Sequence, residues 1–119
     1  MSALPTNPPA RLKGQVAVVT GAGTGMGRAI AVALAVEGAN LTLVGRTVSV
    51  LEETAQEVSA VGGEALVAPG DVGSEADVRR IVAATRERFG RIDILVNNAG
   101  TNVPRRLFAN TQLEDWNQV

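Results

Sequence analysis

The chain has 119 residues, room for one domain, and 45% of them are hydrophobic while only 3% are aromatic. Its formal net charge of −1 gives no reason to expect nucleic acid or an anionic membrane as a partner. It contains no His, Cys or Tyr, and its single Lys is Lys13. Those absences exclude, within these residues, a Ser-His-Asp or Cys-His nucleophile system, an ordinary zinc site and a disulfide framework.

Met1 to Arg11 carries three prolines and no apolar core segment, so it does not read as a secretory leader. Residues 1–13 are expected to be a flexible arm ahead of a domain over 14–119, and a cytoplasmic location is expected. No apolar run is long enough to span a bilayer. The domain opens on Gln15-Val16-Ala17-Val18-Val19-Thr20, short and rich in β-branched residues, which predicts a strand covered on both faces. Gly21, Gly23, Gly25 and Gly27 follow at every second position, and Met26 to Val36 then runs without a breaker as a helix. A strand, a glycine turn and a helix N-terminus gather free backbone N–H groups and the positive end of a helix dipole at one point, which attracts phosphate. The usual G-x-G-x-x-G fingerprint fails at Met26; the pattern present is Thr20-Gly21-x-x-x-Gly25-x-Gly27.

Gly38 suits the end of that helix. Leu41 to Val44 is a second strand, and Gly45-Arg46-Thr47 follows it. Thr47 is a candidate N-cap for the next helix, with Ser49 and Glu52 a competing capping box. Val48, Leu51, Ala55 and Val58 recur there at helical spacing, and Gly62-Gly63 closes the helix. Glu64 to Ala68 is a third strand stopped by Pro69-Gly70. Ser74 and Asp77 open a helix whose apolar face is Val78, Ile81, Val82, Thr85 and Phe89, closed by Gly90. Asp93 to Val96 is a fourth strand, followed by Asn97-Asn98-Ala99-Gly100. Thr111 and Glu114 form another capping box, with Leu113 and Trp116 starting an apolar stripe. This strand–helix alternation predicts an α/β fold: a Rossmann-type, doubly wound parallel sheet, half present, in the order 3-2-1-4.

A Rossmann domain that binds NAD places an acidic residue about twenty positions beyond its glycines. Between Glu37 and Glu52 this sequence has none, and Arg46 stands at the strand end. A guanidinium there suits a 2′-phosphate, and Gly45 removes the carboxylate that would repel it, so NADP(H) is expected over NAD(H).

Three segments together resemble the motifs of the short-chain dehydrogenase/reductase family in order and spacing. They are Thr20-Gly21-Ala22-Gly23-Thr24-Gly25-Met26-Gly27, then Asp71-Val72, then Asn97-Asn98-Ala99-Gly100. The resemblance runs from Gly14 to Val119 and, within the family, leans toward 3-oxoacyl-carrier-protein reductases and other NADP-dependent ketone reductases. It implies cofactor contacts from Thr20, Gly21, Gly23, Thr24, Gly25, Met26 and Gly27. Asp71, with Val72 beside it, would meet the adenine amino group. Asn98, Ala99 and Gly100 would line the ribose and brace the central sheet. It also implies a small-molecule carbonyl or alcohol substrate and a homo-oligomer for the whole enzyme. The family's catalytic set is Asn, Ser and Tyr-x-x-x-Lys. This sequence has no Tyr, Lys13 lies ahead of the first strand, and the family's Asn would fall beyond Val119. No catalytic residue is therefore assigned. The expected reading is the cofactor-binding half of a longer oxidoreductase, inactive alone and ending within a helix. The alternative is a complete, non-catalytic nucleotide-binding or interaction module.

Overall fold

The computed structural model describes residues 10–98. Four strands and three helices alternate: β1 Val16–Thr20, α1 Gly25–Val36, β2 Asn40–Gly45, α2 Val48–Ala60, β3 Ala65–Pro69, α3 Glu75–Phe89 and β4 Ile94–Val96. The strands form one parallel sheet in the order β3-β2-β1-β4. Val19 is paired with Leu43 on one side and Val96 on the other, and Val44 with Ala68. The sequence pattern predicts this order, because strand–helix–strand units cross over with one hand.

Alternation along buried strands sorts the core into two layers. Ala17, Val19, Leu41 and Leu43 pack with Ala31 and Ala35 of α1 and with Leu51 and Val58 of α2. Val18, Val44 and Ala68 pack on the other face with Val78, Ile81 and Val82 of α3. The buried stripe of α1 is Gly27, Ala31 and Ala35, small residues one turn apart that let the helix lie close to the sheet. On the α3 face, Thr42 and Thr85 are both fully buried and their hydroxyls sit 2.9 Å apart, while Thr85 donates to the Ile81 carbonyl at 2.8 Å. This pair satisfies two polar groups that burial would otherwise penalise.

Element ends differ from the sequence reading by a residue. β3 runs through Pro69, which stands opposite Gly45, because β3 is an edge strand and the missing N–H of proline costs no ladder bond there. Ser74 caps α3 as expected, accepting from the Asp77 N–H at 3.2 Å, but the Asp77 carboxylate reaches past the cap to the Asp71 N–H at 2.8 Å. Gly90, in a left-handed conformation (φ 84°), closes α3. Residues 10–13, the last of the expected arm, lie in or beside a turn that docks on the end of α1. Leu12 N–H donates to the Glu37 carbonyl at 2.7 Å, and Leu12 packs against the first core layer. The expected capping box at Thr111 and Glu114, and Trp116, fall outside the described residues.

Candidate functional site

In a parallel sheet every strand ends at the same edge. Here the loops after Thr20, Gly45, Pro69 and Val96 are therefore neighbours. The first of them must turn sharply into α1. Gly21 takes a φ of 61°, where side chains rarely sit, and the Ala22 N–H is tied to the Val44 carbonyl of β2 at 3.1 Å. At Gly27 a Cβ would overlap the Gly21 carbonyl oxygen and stand 2.7 Å from Asn98 Nδ2. Only glycine lets α1 begin this close to the loop.

A cleft of about 220 Å³ opens beside this turn, lined by Gly21, Gly23, Thr24, Gly45, Arg46, Thr47, Val50 and Leu51. Two helices begin on it. Thr24 is the N-cap residue of α1 and Thr47 that of α2, yet neither side chain makes a capping hydrogen bond. Neither helix has an acidic residue in its first turn, whereas α3, which does not face the cleft, carries Glu75 and Asp77 there. Orphan N–H groups and two dipole ends thus meet Arg46, whose side chain is 75% exposed. This donor set fits a phosphate-bearing ligand.

Of the residues singled out in the sequence, the cleft gathers Gly21, Gly23, Thr24 and Arg46. Asp71 stands beside them, its Oδ1 3.7 Å from Arg46 Nη2. It also accepts from the Gly73 N–H at 2.8 Å. Thr20 is fully buried and works as a brace. Its hydroxyl accepts the Asn98 N–H at 2.9 Å and lies 3.3 Å from Asn97 Oδ1, joining β1 to the segment after β4. Asn98 Nδ2 adds a contact to the Gly21 carbonyl at 3.4 Å. Val72 packs into the α3-side core, Gly25 is exposed, and Met26 is 71% exposed on the outer surface. Ala99 and Gly100 fall outside the described residues.

Around this site the sequence pattern marks Asp77 only as part of the α3 capping box, and it does not mark Arg80, Arg28 or Thr54. Asp77 and Arg80 of α3 hold the loop after β3: Asp77 takes the Asp71 N–H, and Arg80 donates to the Pro69 carbonyl at 2.8 Å. The bond from the Asp71 N–H, aided by Arg80, keeps the Asp77 carboxyl below the usual carboxylate range against a smaller opposing effect of burial. Arg28 and Thr54 lie under the glycine loop. The available signals were slight: Arg28 is the one cation in its helix, and Thr54 interrupts an otherwise apolar stripe.

The short chain dehydrogenase family model matches residues 15–119. The chain belongs to that family. Among characterised short-chain dehydrogenases, it is 42% identical over 102 residues to 1,6-dihydroxycyclohexa-2,4-diene-1-carboxylate dehydrogenase of Pseudomonas putida, covering 86% of this chain and 37% of that protein. It is 46% identical over 97 residues to levodione reductase of Leifsonia aquatica, covering 80% and 36%. The crystal structure of hydroxysteroid dehydrogenase from Escherichia coli superposes with a TM-score of 0.81 at 26% identity, over 92% of this chain and 55% of that one. That of a metagenomic short-chain oxidoreductase in complex with NADP superposes with a TM-score of 0.73 at 42% identity, over 76% and 41%. The chain thus spans only part of the short-chain dehydrogenases it matches, their N-terminal half, and the family binds a nicotinamide cofactor. Among the described residues no helix is long and apolar enough to cross a membrane.

Proposed function

We propose that this chain is the NADP(H)-binding part of an oxidoreductase acting on a small alcohol or carbonyl compound. The observation that carries the cofactor choice is Arg46 on a cleft where two helices begin without an acidic first-turn residue. In this reading Gly21, Gly23 and Thr24 hold the pyrophosphate, and Arg46 with Thr47 holds the 2′-phosphate. Asp71 receives the adenine amino group, after its weak, exposed ion pair with Arg46 is given up. Thr20 and Asn98 keep the sheet and the loop in register beneath the cofactor. When bound, the nicotinamide supplies the hydride chemistry; the residues here bind and orient it. The relatives named as dehydrogenases and reductases support the reaction class.

Titration with NADPH and NADH tests the reading. The expected result is tighter binding of NADPH. Arg46→Asp should reduce that affinity by about tenfold or more, since it removes a charge-assisted contact and adds a like charge, while NADH binding changes little or improves. Equal losses for the two cofactors would take Arg46 out of the 2′-phosphate role.

A further inference from the structure

Arg28 and Thr54 meet directly beneath the glycine loop, from two different helices. Thr54, of α2, is fully buried and donates its hydroxyl proton to the Ala22 carbonyl at 2.9 Å. Arg28, of α1, donates to the Gly23 carbonyl from Nη2 at 2.7 Å and from Nε at 3.0 Å, and Nε also reaches the Thr54 hydroxyl at 3.0 Å. We propose that these two side chains are positioning residues for the cofactor: by gripping the Ala22 and Gly23 carbonyls they set the direction of the Gly23 and Thr24 N–H groups that receive the pyrophosphate. The proposal rests on the nucleotide reading of the cleft.

The link between the two ends is covalent. A trans peptide is planar, so its N–H points opposite to its carbonyl. Fixing the carbonyl of Ala22 fixes the N–H of Gly23, and fixing that of Gly23 fixes the N–H of Thr24. Among the described residues neither N–H donates to a protein group, and Gly23 and Thr24 both line the cleft. The grip therefore orients donors that are still available to an anion. An indirect role also follows from the charges around Arg28. Glu53 stands 3.2 Å from its Nη2 and Glu57 3.4 Å from its Nη1, so the guanidinium is already engaged by two carboxylates and by the Gly23 carbonyl.

The chemistry of the grip is specific. Nε and Nη2 converge on one carbonyl while Nε also serves a hydroxyl, which needs a planar fork; a lysine ammonium on a flexible stem lacks it. Thr54 must donate to Ala22 and accept from Arg28 through the same oxygen, which serine can do and valine cannot.

Calorimetric titration of the full chain tests this, using NADPH and adenosine 2′-monophosphate, which carries the 2′-phosphate but no pyrophosphate. Arg28→Lys and Thr54→Val should each weaken NADPH by about tenfold or more, the loss expected when charged or buried hydrogen bonds are removed, and change adenosine 2′-monophosphate less than twofold. Thr54→Ser should restore NADPH binding. Circular dichroism identifies a variant that fails to fold; if Thr54→Val does, Arg28→Lys and Thr54→Ser decide. Unchanged NADPH affinity in folded Arg28→Lys, or equal losses for both ligands, overturns the positioning role. If the unsubstituted chain binds no NADPH, the nucleotide reading fails first and the proposal falls with it.

Discussion

Gly27 and Gly25 separate two reasons for glycine within one loop. At Gly27 the obstacle is contact: a methyl group would meet the Gly21 carbonyl within the turn and Asn98 in the segment after β4. At Gly25 there is open space around the Cβ position, and the only obstacle is a φ of 55°. Gly27→Ala should therefore cost about 1–3 kcal/mol, the range for overpacking a filled site, and should displace the loop. Gly25→Ala should cost about 1–2 kcal/mol of left-handed strain and leave the loop's packing in place. Urea unfolding with NADPH titration checks this. Both variants lose stability, but only Gly27→Ala loses most of its NADPH affinity per unit of stability lost. Similar binding losses for the two would show that strain, not contact, governs the loop.

At the scale of elements, much was legible because each strand is a short apolar run between turn residues and each helix shows an apolar stripe. Ser74 and Gly90 mark both ends of α3 correctly. What the sequence hid is tertiary. The helical spacing puts Val48, Leu51, Ala55 and Val58 on the inward stripe of α2, and Ala55 does pack half-buried on the core. The stripe omits Thr54, which is buried with Leu51 and Val58 and whose hydroxyl is tolerated inside only because the loop offers a carbonyl and α1 offers Arg28. Asp93 is another such case. It begins as the residue before β4 and becomes the tie between β4 and β1, accepting the Val16 N–H at 2.8 Å and pairing with Arg91 at 2.7 Å. Burial pushes its carboxyl up, but the bonds from Arg91 and from the Val16 N–H outweigh this and hold it below the usual range. A depressed folded value means that Asp93 stabilises the fold above the unfolded aspartate pKa of about 3.9, and that the contribution fades as the pH falls through the lower, folded value. Asp93→Asn should lower the urea midpoint at pH 7, and its difference from the unsubstituted chain should shrink below about pH 4. A constant difference down to pH 2 would deny the ionic contribution.

On the proposed function the sheet separates its two ends by role. The glycine loop, Arg46, Asp71 and Asn98 lie at the C-terminal edge of the strands. Lys13 lies at the other edge: it precedes β1, and its backbone packs against the Gly38 turn between α1 and β2. With β1 five residues long, the intervening strand alone spans roughly 16 Å at about 3.3 Å per residue. The backbone of the one Lys of these residues thus stands about a strand length from the cleft, and there is no Tyr to serve as a proton donor. Cofactor binding and proton transfer should therefore separate in this chain. The 119 residues should bind NADPH through the cleft, and should show no ketone-dependent NADPH oxidation, because no acid–base pair of the Tyr-x-x-x-Lys kind can form from them. Lys13→Ala should leave NADPH affinity within twofold. The measurement is NADPH fluorescence titration followed by absorbance assays with a panel of small ketones. Turnover above the rate in buffer would mean that a carboxylate or backbone group in this half performs the proton transfer, and would sink the division of labour drawn from Lys13 and the absent Tyr.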